Sequence, residues 1–163
     1  MRRTVALRLC AVVVVAGSIA ASSALPAGAV VAKGATCTKA TFKTDLKKFT
    51  STSVISGCTN PAATGGTGTL VANFKNLKAI TTKITWKGTG TTSYAVTQKA
   101  VTAGNKCKVV KGKQDIQIVS TGKFTAGTGV VGTAFKGTTY VETLCVTSTS
   151  STYLMPGSKI IFK

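Results

Sequence analysis

The sequence predicts an all-β domain: a small disulfide-bonded β-barrel or β-sandwich of seven to nine antiparallel strands. Three observations predict it. β-Branched residues dominate, with 28 threonines beyond residue 29, and such side chains suit the pleated, half-buried surface of a sheet. Apolar and polar residues alternate with a period of two in several short runs separated by glycine-rich turns. Four of the five cysteines, Cys37, Cys58, Cys107 and Cys145, lie beyond the export signal that opens the chain, and Cys10 lies within it.

The order of the first segments sets the expected compartment. Arg2, Arg3 and Arg8 give a positive start. Leu9 to Ala21 is an apolar run built around Val12, Val13, Val14 and Val15, and Pro26 precedes the small residues Ala27-Gly28-Ala29. Charge, apolar core and small-residue cleavage site, in that order, make a secretory signal. The apolar run falls well short of the roughly 20 residues that span a bilayer as a helix. Cleavage is expected after Ala29, with Ala32 as the alternative. Residues 1–29 are then a removed signal peptide, 30–36 a flexible leader and 37–163 a single all-β domain with no transmembrane segment. The expected location is secreted, extracellular, with association to the cell wall or envelope as an option.

In an exported chain an even number of cysteines reads as disulfides. Four cysteines allow three connectivities, and the pairing nearest in sequence, Cys37–Cys58 with Cys107–Cys145, is the one expected. A zinc site is the competing reading, but the chain has no C-x-x-C spacing and no histidine.

The alternation is clearest from Ile80 to Trp86. Ile80, Thr82, Ile84 and Trp86 point one way, and Thr81, Lys83, Thr85 and Lys87 the other. Gly88-Thr89-Gly90 supplies a turn, and Thr92, Tyr94 and Val96 return, so residues 79–99 read as a β-hairpin. Thr67 to Phe74 sets Gly68, Leu70, Ala72 and Phe74 on one face. Asp115 to Phe124 sets Ile116 with Ile118. Thr139 to Val146 sets Tyr140, Glu142, Leu144 and Val146 opposite Thr139, Val141, Thr143 and Cys145. Ser158 to Phe162 closes the chain after a Pro156-Gly157 turn. Thr38 to Lys43 and Ser53 to Cys58 are weaker strands. Thr44 to Phe49, with Leu46 and Phe49 three apart, is the one stretch expected to turn as a short helix. Sequence alone does not choose between a sandwich and an up-and-down barrel.

Charge is the one positive functional signal. All three arginines lie in the first eight residues. Beyond residue 29 the chain carries 18 lysines against Asp45, Asp115 and Glu142, a net charge of +15, with no histidine. Lys106, Lys108, Lys111 and Lys113 cluster around Cys107, and Lys43, Lys47 and Lys48 form a second group. Such density implies attraction to polyanions, screened by salt. Outside a bacterial cell these are anionic cell-wall polymers, lipid headgroups or extracellular nucleic acid. A chain kept dispersed by its charge accounts for the lysines equally well. Specific nucleic-acid recognition is not expected. Arginine, suited to bidentate phosphate and guanine contacts, is missing beyond the signal, and most aromatics fall on apolar strand faces, where core packing is the default.

Catalytic chemistry has few residues to use. Without histidine no Ser-His-Asp or Cys-His arrangement is possible, and oxidised cysteines supply no thiolate. Three scattered acids and no histidine assemble no obvious metal site, and no cofactor is expected. Gly65-Gly66-Thr67-Gly68, Gly88-Thr89-Gly90 and Gly127-Thr128-Gly129 resemble phosphate loops at a glance. A dinucleotide fingerprint needs strand, glycines and then a helix, and helices are expected beside none of them, so turn chemistry is the reading. Glu142 stands apart. A mid-strand glutamate on the inward face is costly unless paired, so a lysine partner or a position at a barrel mouth is expected for it.

Gly57-Cys58-Thr59, then Gly65-Gly66-Thr67-Gly68-Thr69, then Ile84-Thr85-Trp86-Lys87-Gly88 resembles the "GCT…GGTGT…ITW.G" pattern of uncharacterised secreted β-rich proteins of actinobacteria. The resemblance covers residues 57–90. It implies export and an all-β fold and supplies no function.

The function expected is a non-enzymatic binding or structural protein at the cell envelope, held to anionic wall polymers or lipid headgroups by its lysines. The alternative is a carrier whose β-barrel holds a small apolar molecule, and a buried apolar cavity would favour it. An extracellular inhibitor or toxin would need a projecting loop, for which Val101 to Gly112 is the candidate. An enzyme would need Glu142 or Asp115 in a cleft with a perturbed pKa.

Overall fold

The threonine- and valine-rich runs fold into antiparallel strands that close on themselves. The computed structural model describes residues 32–163 except 46, 77, 78, 111 and 148. The expected signal segment 1–29 and Lys111 lie outside the described residues. In chain order the strands are β1 (Ala35–Asp45), β2 (Thr50–Cys58), β3 (Thr67–Asn73), β4 (Ile80–Trp86), β5 (Gly90–Ala100), the two-residue β6 (Val109–Val110) and β7 (Lys113–Gln114), β8 (Ile116–Thr128), β9 (Thr139–Val146), β10 (Thr152–Leu154) and β11 (Ile160–Phe162). Neighbours in the ring β1-β2-β3-β4-β5-β8-β9-β11 pair antiparallel, and β11 returns to β1. The result is an eight-stranded up-and-down barrel, which decides between the two architectures left open by the sequence. Closure gives every strand of the ring a partner on both sides, although β1 meets β11 only from Ala35 to Cys37. β10 continues the line of β11 along β9: Leu154 pairs with Leu144, and Ile161 with Val141.

The expected alternation is what closes the barrel. On β4 the side chains of Ile80, Thr82, Ile84 and Trp86 are buried, while Thr81, Lys83, Thr85 and Lys87 are exposed. β1 and β2, expected as weak strands, are long, at 11 and nine residues. The leader expected over 30–36 is corrected at its end, because Ala35 and Thr36 belong to β1 and pair with Phe162 and Ile161. The helical turn expected over Thr44 to Phe49 is also corrected. Thr44 and Asp45 finish β1, and Asp45 Oδ1 accepts the backbone N–H groups of Lys47 (3.0 Å) and Lys48 (3.1 Å). An aspartate that bonds the backbone two residues on makes a tight turn, and that local bond outcompetes the helix.

One end of the barrel is solid. Trp86, Tyr94, Phe135, Tyr140 and Phe162 fill it, with ring centroids 5.3 Å apart for Trp86–Phe135 and Phe135–Phe162 and 5.4 Å for Tyr140–Phe162. Burying each such ring is worth about 1.5–3 kcal/mol. Their polar atoms are partly met. Trp86 Nε1 donates to Thr92 Oγ1 at 2.9 Å. Thr138 Oγ1 donates to the Phe135 carbonyl at 2.8 Å, which leaves it free to accept from the Tyr94 hydroxyl at 3.2 Å. Gly122 faces this plug, where a Cβ would come within 3.1 Å of both Tyr94 and Tyr140. Two short helices, α1 (Pro61–Thr64) and α2 (Gly129–Ala134), cover the same end.

These helices correct the reading of the glycine clusters. Gly65 caps α1 and α2 begins at Gly129, so two of the three clusters do adjoin a helix. The arrangement is a plug rather than a phosphate cradle. The Val131 N–H is taken by the Thr89 carbonyl at 3.3 Å, and Gly132 packs so closely on Gly127 that a Cβ there would lie 2.5 Å from its carbonyl carbon.

Two disulfides tie the barrel with the connectivity expected from spacing, Cys37–Cys58 and Cys107–Cys145. The first joins directly opposed residues of β1 and β2. The second pins the long β5–β8 connection to the outer face of β9. That connection is further held by Gln117 Oε1 accepting from the Lys106 N–H at 2.8 Å and by the Tyr153 hydroxyl donating to Asp115 at 2.8 Å. Two disulfides are compatible with an extracellular protein. Among the described residues no helix is long and apolar enough to cross a membrane.

Candidate functional site

The opposite end of the barrel is hollow. There the β1–β2 turn, the β3–β4 connection, the β5–β8 loop and the β9–β10 turn gather around a cavity of about 230 Å³. Its walls are mainly apolar: Phe42, Leu70, Ala72, Phe74, Ile80, Ile118, Leu144 and Val146. Thr44, Ser51, Ser150 and Thr152 bring hydroxyls to its lining. The hollow follows from side-chain size. An eight-stranded barrel has an interior that side chains can just fill, and inward positions such as Thr44, Ser51 and Ala72 are too small to do so. A larger depression on the outside, about 550 Å³, is lined by Val71, Lys83, Ser93 and Ala95 among others, and is a crease between solvated strand faces.

One polar row crosses the inner wall. Gln98 of β5 pairs in register with Ser120 of β8, and Ser120 with Glu142 of β9. Gln98 Nε2 donates to Ser120 Oγ at 3.3 Å. Gln98 sits at the open rim, whereas Ser120 is fully buried and Glu142 is 6% exposed. Glu142 lines the cavity directly above Tyr140, two residues earlier on the same face of β9 and part of the aromatic plug.

Glu142 meets no counter-charge among the described residues. The one ion pair among them is Lys48 with Asp45, on the exposed β1–β2 turn at 3.9 Å. The lysine partner expected for Glu142 is therefore not there, and its place is the wall of the barrel's open end. Its Oε2 is buried without a hydrogen-bond partner, and so is the Tyr140 hydroxyl. Burial pushes the Glu142 carboxyl up from its ordinary range to about 7, while the nearby hydroxyls of Tyr140 and Ser120 hold back part of that rise. Burial also lifts the Tyr140 phenol well above its ordinary value, and the Glu142 charge adds to the effect. The site thus offers apolar walls and one carboxyl group poised between its two protonation states near neutrality.

The remaining candidates lie outside the barrel. Asp115 is buried under the β5–β8 loop and bonded to Tyr153, away from the cavity lining. Lys43, Lys47 and Lys48 sit at the β1–β2 turn. Lys106, Lys108 and Lys113 sit on the disulfide-pinned loop around the β6–β7 hairpin, whose Val109 and Val110 are exposed. Both groups belong to the open end, on different connections, and neither lines the cavity. The loop 101–112 is held against the barrel wall by Cys107, and its standing-off part is the β6–β7 tip.

Sequence reasoning singled out Glu142 and missed its companions. Gln98 and Ser120 continue the inward alternation of Tyr94 and Val96 and of Ile118, and that alternation is the signal that could have found them. In comparisons with known proteins, no family model matches the chain, and no curated protein or solved structure matches it significantly.

Proposed function

We propose that the chain is exported and works outside the cell as a binding protein that holds a small, largely apolar molecule in the open end of its barrel. Glu142 has the burial an enzyme would need, but among the described residues the cavity lining brings no second acid, lysine or cysteine beside it, which favours binding over catalysis. The observation that supports this reading most is the apolar cavity with a single buried ionisable side chain, Glu142. Small-molecule sites are mostly apolar hollows with a few convergent polar groups, and the mouth of a β-barrel is a common place for them. At about 230 Å³ this cavity is somewhat below the roughly 300 Å³ at which drug-sized pockets begin. It exceeds the roughly 150 Å³ that suffices for benzene. The expected occupant is therefore one ring or a short chain. The test is to soak the purified protein with a panel of single-ring and short-chain compounds and read its melting temperature. Stabilisation that disappears when the cavity is filled by Ala72→Phe supports the reading. No stabilisation by any compound sinks it.

A second reading concerns the outside of the barrel. Six described lysines of the two predicted groups stand at the open end: Lys43 near the end of β1 with Lys47 and Lys48 on the turn after it, and Lys106, Lys108 and Lys113 beside the exposed Val109 and Val110. Such a basic surface suits anionic wall polymers or lipid headgroups. Sedimentation with bacterial cell walls across a salt series tests it. Binding that is strong at low salt and falls steeply with added salt supports an electrostatic envelope partner. Protein left in the supernatant at low salt sinks it.

A further inference from the structure

We infer that the cavity takes a small primary amine: an ammonium head on an apolar body, with Glu142 as its counter-ion. This rests on the cavity reading above and names the class of ligand. The polar row has a direction. Gln98 Nε2 donates to Ser120 Oγ, and the row ends at Glu142, opposite Ser120 in register. Glu142 Oε2 is buried, lacks a hydrogen-bond partner and belongs to a side chain that lines the hollow. The Tyr140 hydroxyl is also unmet but does not line the hollow, so the unmet group that faces a ligand is the Glu142 carboxyl, which as a carboxylate calls for a donor.

A charged donor fits better than a neutral one. A buried carboxylate without a cation is costly, and a positively charged head removes that cost where an alcohol removes only part of it. A carboxylate ligand would set two negative groups together. The apolar walls, Leu70, Ala72, Ile80 and Leu144 among them, take the rest of the molecule. By comparison with a benzene-sized hollow of roughly 150 Å³, the cavity holds a body of about ten heavy atoms. Net charge need not enter the barrel. When a neutral amine meets the protonated carboxyl, the proton passes from the Glu142 oxygen to the amine nitrogen and the same ammonium–carboxylate pair results. The lysines of the open-end loops repel an ammonium approaching through solvent, and salt screens that repulsion over about 8 Å at physiological ionic strength. Amine binding is therefore expected to hold or strengthen as salt rises, opposite to polyanion binding.

The experiment is calorimetric titration of the purified protein with 2-phenylethylamine, 2-phenylethanol and 3-phenylpropionate, near pH 8. The amine is expected to bind about tenfold or more tighter than the alcohol, and the carboxylate weakest. In Glu142→Gln that preference collapses to the level of the alcohol. Equal binding of amine and alcohol by the wild type overturns the amine inference and leaves the cavity reading standing. No binding by any of the three overturns both. A Glu142→Gln protein that melts cooperatively and still prefers the amine also overturns the inference. If that variant fails to fold, the wild-type ranking decides alone.

Discussion

Ser120 and Glu142 stand directly opposite one another on β8 and β9, both facing into the barrel, and differ in what meets them. Ser120 Oγ accepts a hydrogen bond from Gln98, whereas Glu142 Oε2 has no partner. A polar atom buried without a partner costs stability, and a charge costs more. The open end is thus less stable than it would be with an apolar residue at 142, a trade that proteins make at binding sites.

The first prediction follows from that cost. Folding raises the Glu142 carboxyl from 4.5 to about 7, so the folded protein binds this proton more tightly than the unfolded chain. Stability from this group is fully present below about pH 4.5, falls as pH rises toward 7 and is flat above. The groups that face Glu142 do not share this window. Tyr140 on its own strand and Tyr94 on β5 are phenols lifted above their ordinary range, Tyr94 to about 12, and Ser120 and Gln98 carry no charge. The loss is about 3 kcal/mol between pH 4.5 and 8. Urea melts across that range check it. Glu142→Gln should remove this component and be the more stable protein at pH 8. A wild type and variant that lose stability in parallel would contradict the assignment.

Filling the hollow should separate binding from folding. Ala72 is half-buried, lines the cavity and pairs with Ser51 and Thr82 on either side. Ala72→Phe places a ring in empty space rather than in packed core. The melting temperature is expected to hold or rise, because cavity filling commonly adds about 0.5–2 kcal/mol. Ligand affinity is expected to fall about tenfold or more. A large drop in melting temperature would mean that the space is already filled.

The strands were legible from their alternation and the cysteine pairing from its spacing, whereas the short helices, one turn and the cavity were not, for physical reasons. Ile80 to Trp86 shows a period of two without interruption, and the half-buried strand is what the period requires. α1 and α2, at four and six residues, are too short to display a helical period. The turn at Lys47 and Lys48 depends on one aspartate side chain, which the spacing of Leu46 and Phe49 obscured. The cavity was legible least. Whether a barrel is filled depends on which inward side chains share a level, and that requires the strand register. Once register is known, Trp86, Tyr94, Tyr140 and Phe162 fall at one end and Ser51, Ala72, Gln98 and Ser120 toward the other. Glu142 was found early because a mid-strand acid on an apolar face is anomalous on any register.

The solid end should carry a large share of the stability. Phe135 is fully buried against Trp86 and Phe162, and it is the residue that ends α2. Phe135→Ala leaves a hole in the plug and is expected to cost about 3–5 kcal/mol. Chemical denaturation measures the loss, and near-UV circular dichroism reports the plug itself through Trp86. A cost below about 1 kcal/mol would mean that the end collapses onto the gap or that α2 is not seated there.

The two disulfides should differ in what their loss disturbs. Cys107–Cys145 lies on the outside of the barrel and closes a span of 38 residues. Its main effect is on the unfolded chain, so Cys107→Ser with Cys145→Ser is expected to cost about 3–4 kcal/mol, between the values for short and long loops. The barrel ring does not run through it, since β8 and β9 pair along eight registered positions from Ile116 to Lys123. The variant should therefore keep the near-UV signature of the aromatic plug. What should change is the connection from Val101 to Asp115, which loses its anchor and keeps only hydrogen bonds such as Lys106 to Gln117 and Tyr153 to Asp115. Hydrogen exchange is expected to quicken there and to stay slow in β4 and β5. Uniform quickening throughout the barrel would show instead that the outer tie holds the whole fold together.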